Sequence, residues 1–484
     1  MKQIPICVLA FFSLLSSAFA QQAPWGRADV PISSRDRVYA ADQTSNTVSV
    51  IDPFANKLLG VIRLGDPVPG ALSALYKGQL LVHGLGYSPD SKTLAVVSIA
   101  SNSVTLIDTA TNKVNGIVYL GRSPHEAFFT PNGRELWVTV RGEDYVSVID
   151  PKGMREIRHV HMANGPGMTM FGPNGRYGFV CSSFTPELAV VDTASHQIIK
   201  RVSQTSPFCP NIAVSPESDE VWITLKDVGK VQVFRANPPF EQLALLDTGP
   251  ITNHVNFANN RNGKFAYLTI GGTNEVKAYR RGAKPELVAT IPVGDLPHGI
   301  WPSGDGTRVY VALENGEHAV AIDTLSNKVI ANIPIGQTTQ ALVYVPGAVP
   351  KGDGTANLMP LGVSGEALHI EMLPPSGAGS SGRATVAVNS LGVIDLLQIA
   401  AAGLQPGQEY QLFLVDSLTK PDARRIGLTK FTANPSGAAV AQAIGPLRTV
   451  VAATSGAGGQ QPERRYLVLT AAGDYQPVLQ QQVP

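Results

Sequence analysis

The feature that most constrains this chain is a repeat. Three segments superpose without gaps: SVIDPFANKLLGVIRLG from Ser49, TLIDTATNKVNGIVYLG from Thr105 and VAIDTLSNKVIANIPIG from Val320. Each carries Asp at its fourth place, Asn-Lys shortly after, and Gly thirteen residues beyond the Asp. Weaker copies hold Asp150 and Asp192, and two more put Phe234 and Tyr279 where the Asp would stand. The seven markers at 52, 108, 150, 192, 234, 279 and 323 are spaced by 56, 42, 42, 42, 45 and 44 residues. Ahead of the later markers runs a second signature: SPDSKTLAVV, TPNGRELWVT, GPNGRYGFVC, SPESDEVWIT, NRNGKFAYLT and SGDGTRVYVA. Pro, Asn, Gly and Asp between two apolar runs predict a hairpin. The Asp-Thr-x-x-Asn-Lys stretch predicts another turn, its Asp and Asn able to bond nearby backbone amides. Each unit is thus four short strands, too small to bury a core alone. Seven stacked radially bury both faces of every small sheet, which predicts an all-β, seven-bladed β-propeller.

The first copy lacks its innermost strand. ALVYVP at Ala341 follows the seventh copy with the matching pattern and no second strand after it, so residues 341–346 are expected to complete the first blade and close the ring. The propeller then spans 37–346, with an insertion at 66–81 expected to form a loop on one face. The periodic Asp looks catalytic only until its repetition is noticed; it reads as a turn residue.

These motifs resemble the YVTN family of propeller repeats, over residues 37–346. The resemblance implies the fold but no single activity, because propellers host many unrelated functions. By fold the chain also resembles lactonase propellers, the haem domain of cytochrome-type nitrite reductases and the nitrous oxide reductase propeller. Neither redox activity follows. No cupredoxin domain with a Cys-rich copper motif is present, and no haem-bearing segment precedes the repeats.

Beyond the repeats, 347–381 reads as a Gly/Pro-rich linker with a first strand at EALHIEMLP, and 382–484 as a small C-terminal β-sandwich. The stretch from Leu404 to Ser417 resembles the extracytoplasmic domains of anti-sigma-K-type factors. His369, alone of its kind there, reads as a strand-face residue.

At the other end, Met1-Lys2, an apolar run to Leu15 and Ala18-Phe19-Ala20 have the form of a signal peptide over 1–20, cleaved after Ala20. Export to the periplasm or beyond is expected, with no membrane span in the mature chain. That leaves Cys181 and Cys209, which an oxidising compartment would join as a disulfide; no CxxC or CxxCH motif suggests zinc or haem. A formal charge of +1 and 15% charged residues give no field for nucleic acid. The expected assembly is a monomer.

The innermost strand of each blade starts at the mouth of the central channel. Phased on the hairpin turn, that position is His83, His125, Gly167, Pro210, His254 and His298, with Gln340 from the closing strand; His254 requires a one-residue insertion. Four of nine histidines in one phase suggest a ligand-binding mouth, and a copper or zinc site at His83, His125, His254 and His298. Duplication alone would also copy a packing histidine with its unit. Glu126, Glu143 and Glu314 lie near channel-side strand ends, as a lactonase-like hydrolase would want. His159 and His161 alternate on an outer strand and read as solvated. No GxSxG, HExxH or phosphate loop occurs. The reading is a binding or scaffold protein holding a protein, polymer or small ligand; the alternative is a metal- or cofactor-dependent enzyme, hydrolase or redox protein, at the histidine mouth.

Overall fold

The computed structural model describes residues 30–64, 80–362, 367–378, 381–390, 394–420, 423–447 and 465–482. Residues 1–20, read as a signal peptide, and nearly all of the insertion at 66–81 lie outside them. Seven four-stranded antiparallel sheets form the blades of a propeller. Blade 1 consists of Arg37–Asp42, Thr47–Asp52 and Lys57–Arg63, and its innermost strand is Thr339–Val345, which pairs with Arg37–Asp42. The two ends of the repeat array therefore share one sheet. Blades 2 to 7 begin their inner strands at Val82, Pro124, Pro166, Ile212, Thr252 and Pro297.

The repeat motif has a direct physical use. In the Asp-x-x-x-Asn turns, Asp52, Asp108 and Asp323 accept backbone amides from Phe54, Thr111 and Leu325 at 2.8–2.9 Å. Asn56, Asn112 and Asn327 take φ between 51° and 58°, the left-handed region that Asn tolerates better than most side chains. Two of those asparagines receive the tyrosine of the preceding blade: Tyr267 Oη donates to Asn327 at 2.7 Å and Tyr310 Oη to Asn56 at 3.0 Å. The turn that marks each repeat is also the dock for its neighbour.

Cys181, in the second strand of blade 4, is joined by a disulfide to Cys209, on the way into blade 5; their Cα atoms lie 6.0 Å apart. Residues 346–362 run back over blades 1 and 2. Asn112 Nδ2 donates to the carbonyls of Gly354 and Ala356 at 2.9 Å, and Val61 and Met359 exchange two backbone hydrogen bonds. Half of the stretch read as a linker is thus a strap on the propeller.

The C-terminal domain is a single eight-stranded antiparallel sheet, not two stacked sheets. Its order is Arg425–Thr432, Glu409–Val415, Tyr466–Ala471, Pro477–Gln481, Ala367–Leu373, Arg383–Ser390, Asp395–Ala402 and Ala438–Gly445. Strand twist coils the sheet until its edge strands approach each other, giving a near-barrel around Val386, Ile399, Leu412 and Leu469. Among the described residues no helix is long and apolar enough to cross a membrane.

This domain sits on the channel-mouth side of blades 5, 6, 7 and 1. Ala400, Ala402 and Ala438 pack on Ile251 and Leu296. Gln398 Nε2 donates to Glu314 Oε1 at 2.7 Å and Asn315 Oδ1 at 3.0 Å, Asn389 Nδ2 donates to Thr338 at 3.1 Å, and the Ser436 amide donates to the Asp227 carbonyl. His369 joins the same interface by hydrogen-bonding Glu317, and that bond raises its pKa above the ordinary imidazole value. A histidine whose folded pKa is raised stabilises the fold fully below its unfolded value of about 6.5, and that stabilisation is lost as pH rises through the folded value. The melting temperature of the intact protein should therefore fall more between pH 6 and 8.5 than that of His369→Ala. Parallel pH profiles for the two proteins would show that the pair contributes nothing to docking.

Candidate functional site

The inner strands of blades 2, 3, 6 and 7 enter the channel through a bulge next to the first residue, so that consecutive side chains near the mouth both reach inward. The first regular pairs beyond the bulge are Leu85 with Val96, Ala127 with Val138, Val255 with Leu268 and Ile300 with Val311. Counting back two residues gives His83, His125, Asn253 and His298. His254 therefore stands one place further along its strand, level with Glu126. The hairpin Asn260–Arg261–Asn262–Gly263 absorbs the extra length of that blade.

The four histidines are buried at one end of the channel in two pairs. His83 and His125, on blades 2 and 3, have ring centroids 4.3 Å apart; His254 and His298, on blades 6 and 7, are 4.5 Å apart. Two of them bridge blades: His125 Nδ1 donates to the Gly167 carbonyl at 2.8 Å, and His298 Nδ1 to the carbonyl of Gln340. These bonds fix the tautomer and leave each Nε2 with a lone pair. Gln340 is buried beside them and contributes its main chain to the site.

Below this ring the channel is filled. Phe128 stacks on Trp301 with centroids 6.5 Å apart, and with Met168 and Met170 they leave a cavity of about 10 Å³, room for one water at most. Chemistry is confined to the mouth.

A second ring lies just above, at the residue after each blade's second strand: Gln43, Ile99, Arg141, Ser183, Lys226, Gly271 and Glu314. It sets two cations over the histidines. The Arg141 guanidinium is held between the Phe184 and Phe208 rings, 5.3 and 5.4 Å from their centroids, and its Nε has no hydrogen-bond partner among the described residues. Neither Arg141 nor Lys226 forms an ion pair within 4.0 Å with a described residue. Glu314 Oε2 lies 3.9 Å from His298 Nε2, while its Oε1 is taken by Gln398.

Burial dominates the electrostatics. It pushes His83 down to about 3, with Arg141 adding to the effect, and drives His125, His254 and His298 well below the ordinary imidazole value; His83 adds to the shift of His125, His298 to that of His254 and Lys226 to that of His298. Burial also raises Glu126 to about 8 and lowers Lys226 and Arg141. At neutral pH the imidazoles are neutral, the form that ligates metals and accepts hydrogen bonds.

Glu126 and Glu314 both reach the mouth, buried at 2% and 5% exposure, whereas Glu143 lies outside it, half-exposed against Arg122. His159 and His161 are on the outer strand of blade 3, paired with Glu156 and Asp144 and stacked about Tyr145. The sequence reading followed the starts of the inner strands and so passed over Arg141 and Lys226. The same repeat phase, applied to the ends of the second strands, finds both.

No protein-family model matches the chain, and no curated protein matches it. Solved structures do, by fold. The hydrazine synthase of Kuenenia stuttgartiensis aligns with TM-score 0.50 and 20% identity over 55% of this chain and 90% of that one. A functionally unknown protein from Desulfotomaculum acetoxidans aligns with TM-score 0.54 and 12% identity over 63% and 98%. The periplasmic gluconolactonase of Pseudomonas aeruginosa aligns with TM-score 0.51 and 18% identity over 64% and 99%. At these identities the likeness is one of fold.

Proposed function

We propose that this chain is an exported binding protein of the YVTN propeller type whose ligand is a small anion seated at the histidine mouth, beside a C-terminal domain of the anti-sigma-K extracytoplasmic kind. The observation that carries the reading is the position of Arg141 and Lys226. Two desolvated cations without ion-pair partners among the described residues stand over a ring of neutral hydrogen-bonding imidazoles. Leaving a half-buried charge unpaired is costly, and an anionic ligand offsets that cost. The filled channel below keeps such a ligand within reach of both cations.

Citrate, gluconate and inorganic phosphate serve as anionic probes, with glucose as the neutral control. Binding at 100 times Kd adds about 2.7 kcal/mol and should raise the Tm of a protein this size by about 3 °C. The rise should vanish in Arg141→Ala and Lys226→Ala. A shift that persists in both variants, or none with any anion, overturns the reading.

The convergence of Glu126, Glu314 and Arg141 at one rim also favours a second reading, a lactonase-like hydrolase, with Glu126 protonated near neutral pH as the candidate proton donor. Turnover of gluconolactone that is lost in Glu126→Gln would support it.

A further inference from the structure

We infer that His83, His125 and Glu126 form a site for one transition-metal ion of the zinc or copper class, on blades 2 and 3 alone. The inference deepens the reading of the mouth as a ligand site. One ligand atom from each of the three lies within 4.8 Å of the others, and all three side chains are buried. Around a tetrahedral ion with bonds of about 2.0–2.2 Å, donor atoms stand about 3.4 Å apart. The three side chains are therefore within a small rotation of closing on an ion.

Two further observations point to a ligand. His83 Nδ1 and Glu126 Oε1 face each other at 3.7 Å, with His83 7% exposed and Glu126 2%; the backbone of His125 acts on the one residue and that of Leu85 on the other, but neither atom completes a hydrogen bond of ordinary geometry with a described residue. Each such orphan costs about 1–3 kcal/mol unless something occupies it. In addition, the bond from His125 Nδ1 to the Gly167 carbonyl orients the ring and reserves Nε2, as the outer partner of a metal-bound histidine does. Pinning blades together would explain His125, and in part His83 through the His125 backbone, but it leaves Glu126 Oε1 facing His83 unexplained.

The other pair does not qualify. His298 has Glu314 at 3.9 Å, but that carboxylate is already engaged by Gln398, and His254 brings no third donor within reach. Two nitrogens and one oxygen leave a fourth position open, which marks an exchangeable site and not a closed structural one. Arg141, whose charge acts on both His83 and His125, favours an anionic over a neutral donor in that position.

The test uses the mature full-length protein, purified without a metal-affinity tag and stripped with chelator. Titration with Zn²⁺, Cu²⁺ and Co²⁺ should show about one equivalent bound, and Co²⁺ should give visible bands of a four-coordinate N,O site. His125→Ala and Glu126→Gln should each weaken binding about 100-fold or more, while His254→Ala changes it less than about threefold. Circular dichroism and melting confirm that each variant is folded, and the nearly isosteric Glu126→Gln keeps the test meaningful if His125→Ala is unstable. Absence of binding by all three metals, or an equal loss in His254→Ala, overturns the site. Anion binding by a stripped protein that takes up none of the three metals would leave the function standing while the metal site fails. Metal binding without any anion response would do the reverse.

Discussion

A chain ended after Leu361 should fold and melt cooperatively, whereas one ended after Thr338 should not fold at all. The second loses Ala341, Leu342, Val343, Tyr344 and Val345, each at most 6% exposed, from the inner strand of blade 1. At about 1.5–3 kcal/mol for a large apolar side chain, their burial is worth about 10 kcal/mol as an upper figure, comparable to the whole net stability of a typical domain. The same cut unfastens Asp42, buried and accepting hydroxyl donors from Thr47, Ser49 and Thr339 at 2.7–2.8 Å. It also leaves two sheet edges open to pairing with other chains. The first cut must lie beyond the strap, because the Val349 amide bonds the Arg35 carbonyl and Met359 pairs with Val61. Soluble expression of both truncations with one shared Tm would show that ring closure is not what holds the propeller.

Arg281→Ala should destabilise the propeller by about 2–3 kcal/mol, less than the cost of breaking a fully buried ion pair because the carboxylates left behind keep partial access to water. This guanidinium leaves blade 6 and engages three carboxylates on the hairpin of blade 5: Glu217 at 2.8 Å, Asp219 at 3.1 Å and Glu220 at 2.9 Å. It also lies over the Phe257 ring, 4.8 Å from the centroid, with its side chain only 3% exposed. Without it, three acids of one sign are left within a few ångströms, with Lys264 alone opposing them through Glu217. Arg281→Lys keeps the charge but cannot span the three partners, and should recover less than half of the loss. Urea unfolding with an unchanged m-value gives the difference directly. A loss under 1 kcal/mol for the alanine variant would mean that the acids are better solvated than their burial implies.

The propeller was legible because duplication repeats each signal. The strand pattern appears again in every unit, the hairpin in six and the Asp in five, and the lone ALVYVP could only serve blade 1. The histidine pairs were legible for the same reason, save that added hairpin length moved His254 one step along its strand. Arg141 and Lys226 were missed because each is a single unlike residue in its phase, with no copy to draw attention to it. The strap was missed because Gly and Pro read as a linker, and what orders it is backbone pairing and the Asn112 amide, which composition does not report. The seating of the C-terminal domain left no trace in the sequence. Gln398, Asn389 and Ser436 come from separate strands or turns and converge only once the sheet has coiled.

The packed floor of Phe128, Trp301, Met168 and Met170 also governs traffic. A ligand entering from the mouth meets this floor, and part of the doorway's frame belongs to the C-terminal domain. Loosening that frame through Gln398→Ala also frees Glu314 Oε1 beside His298, so exchange and occupancy should both change.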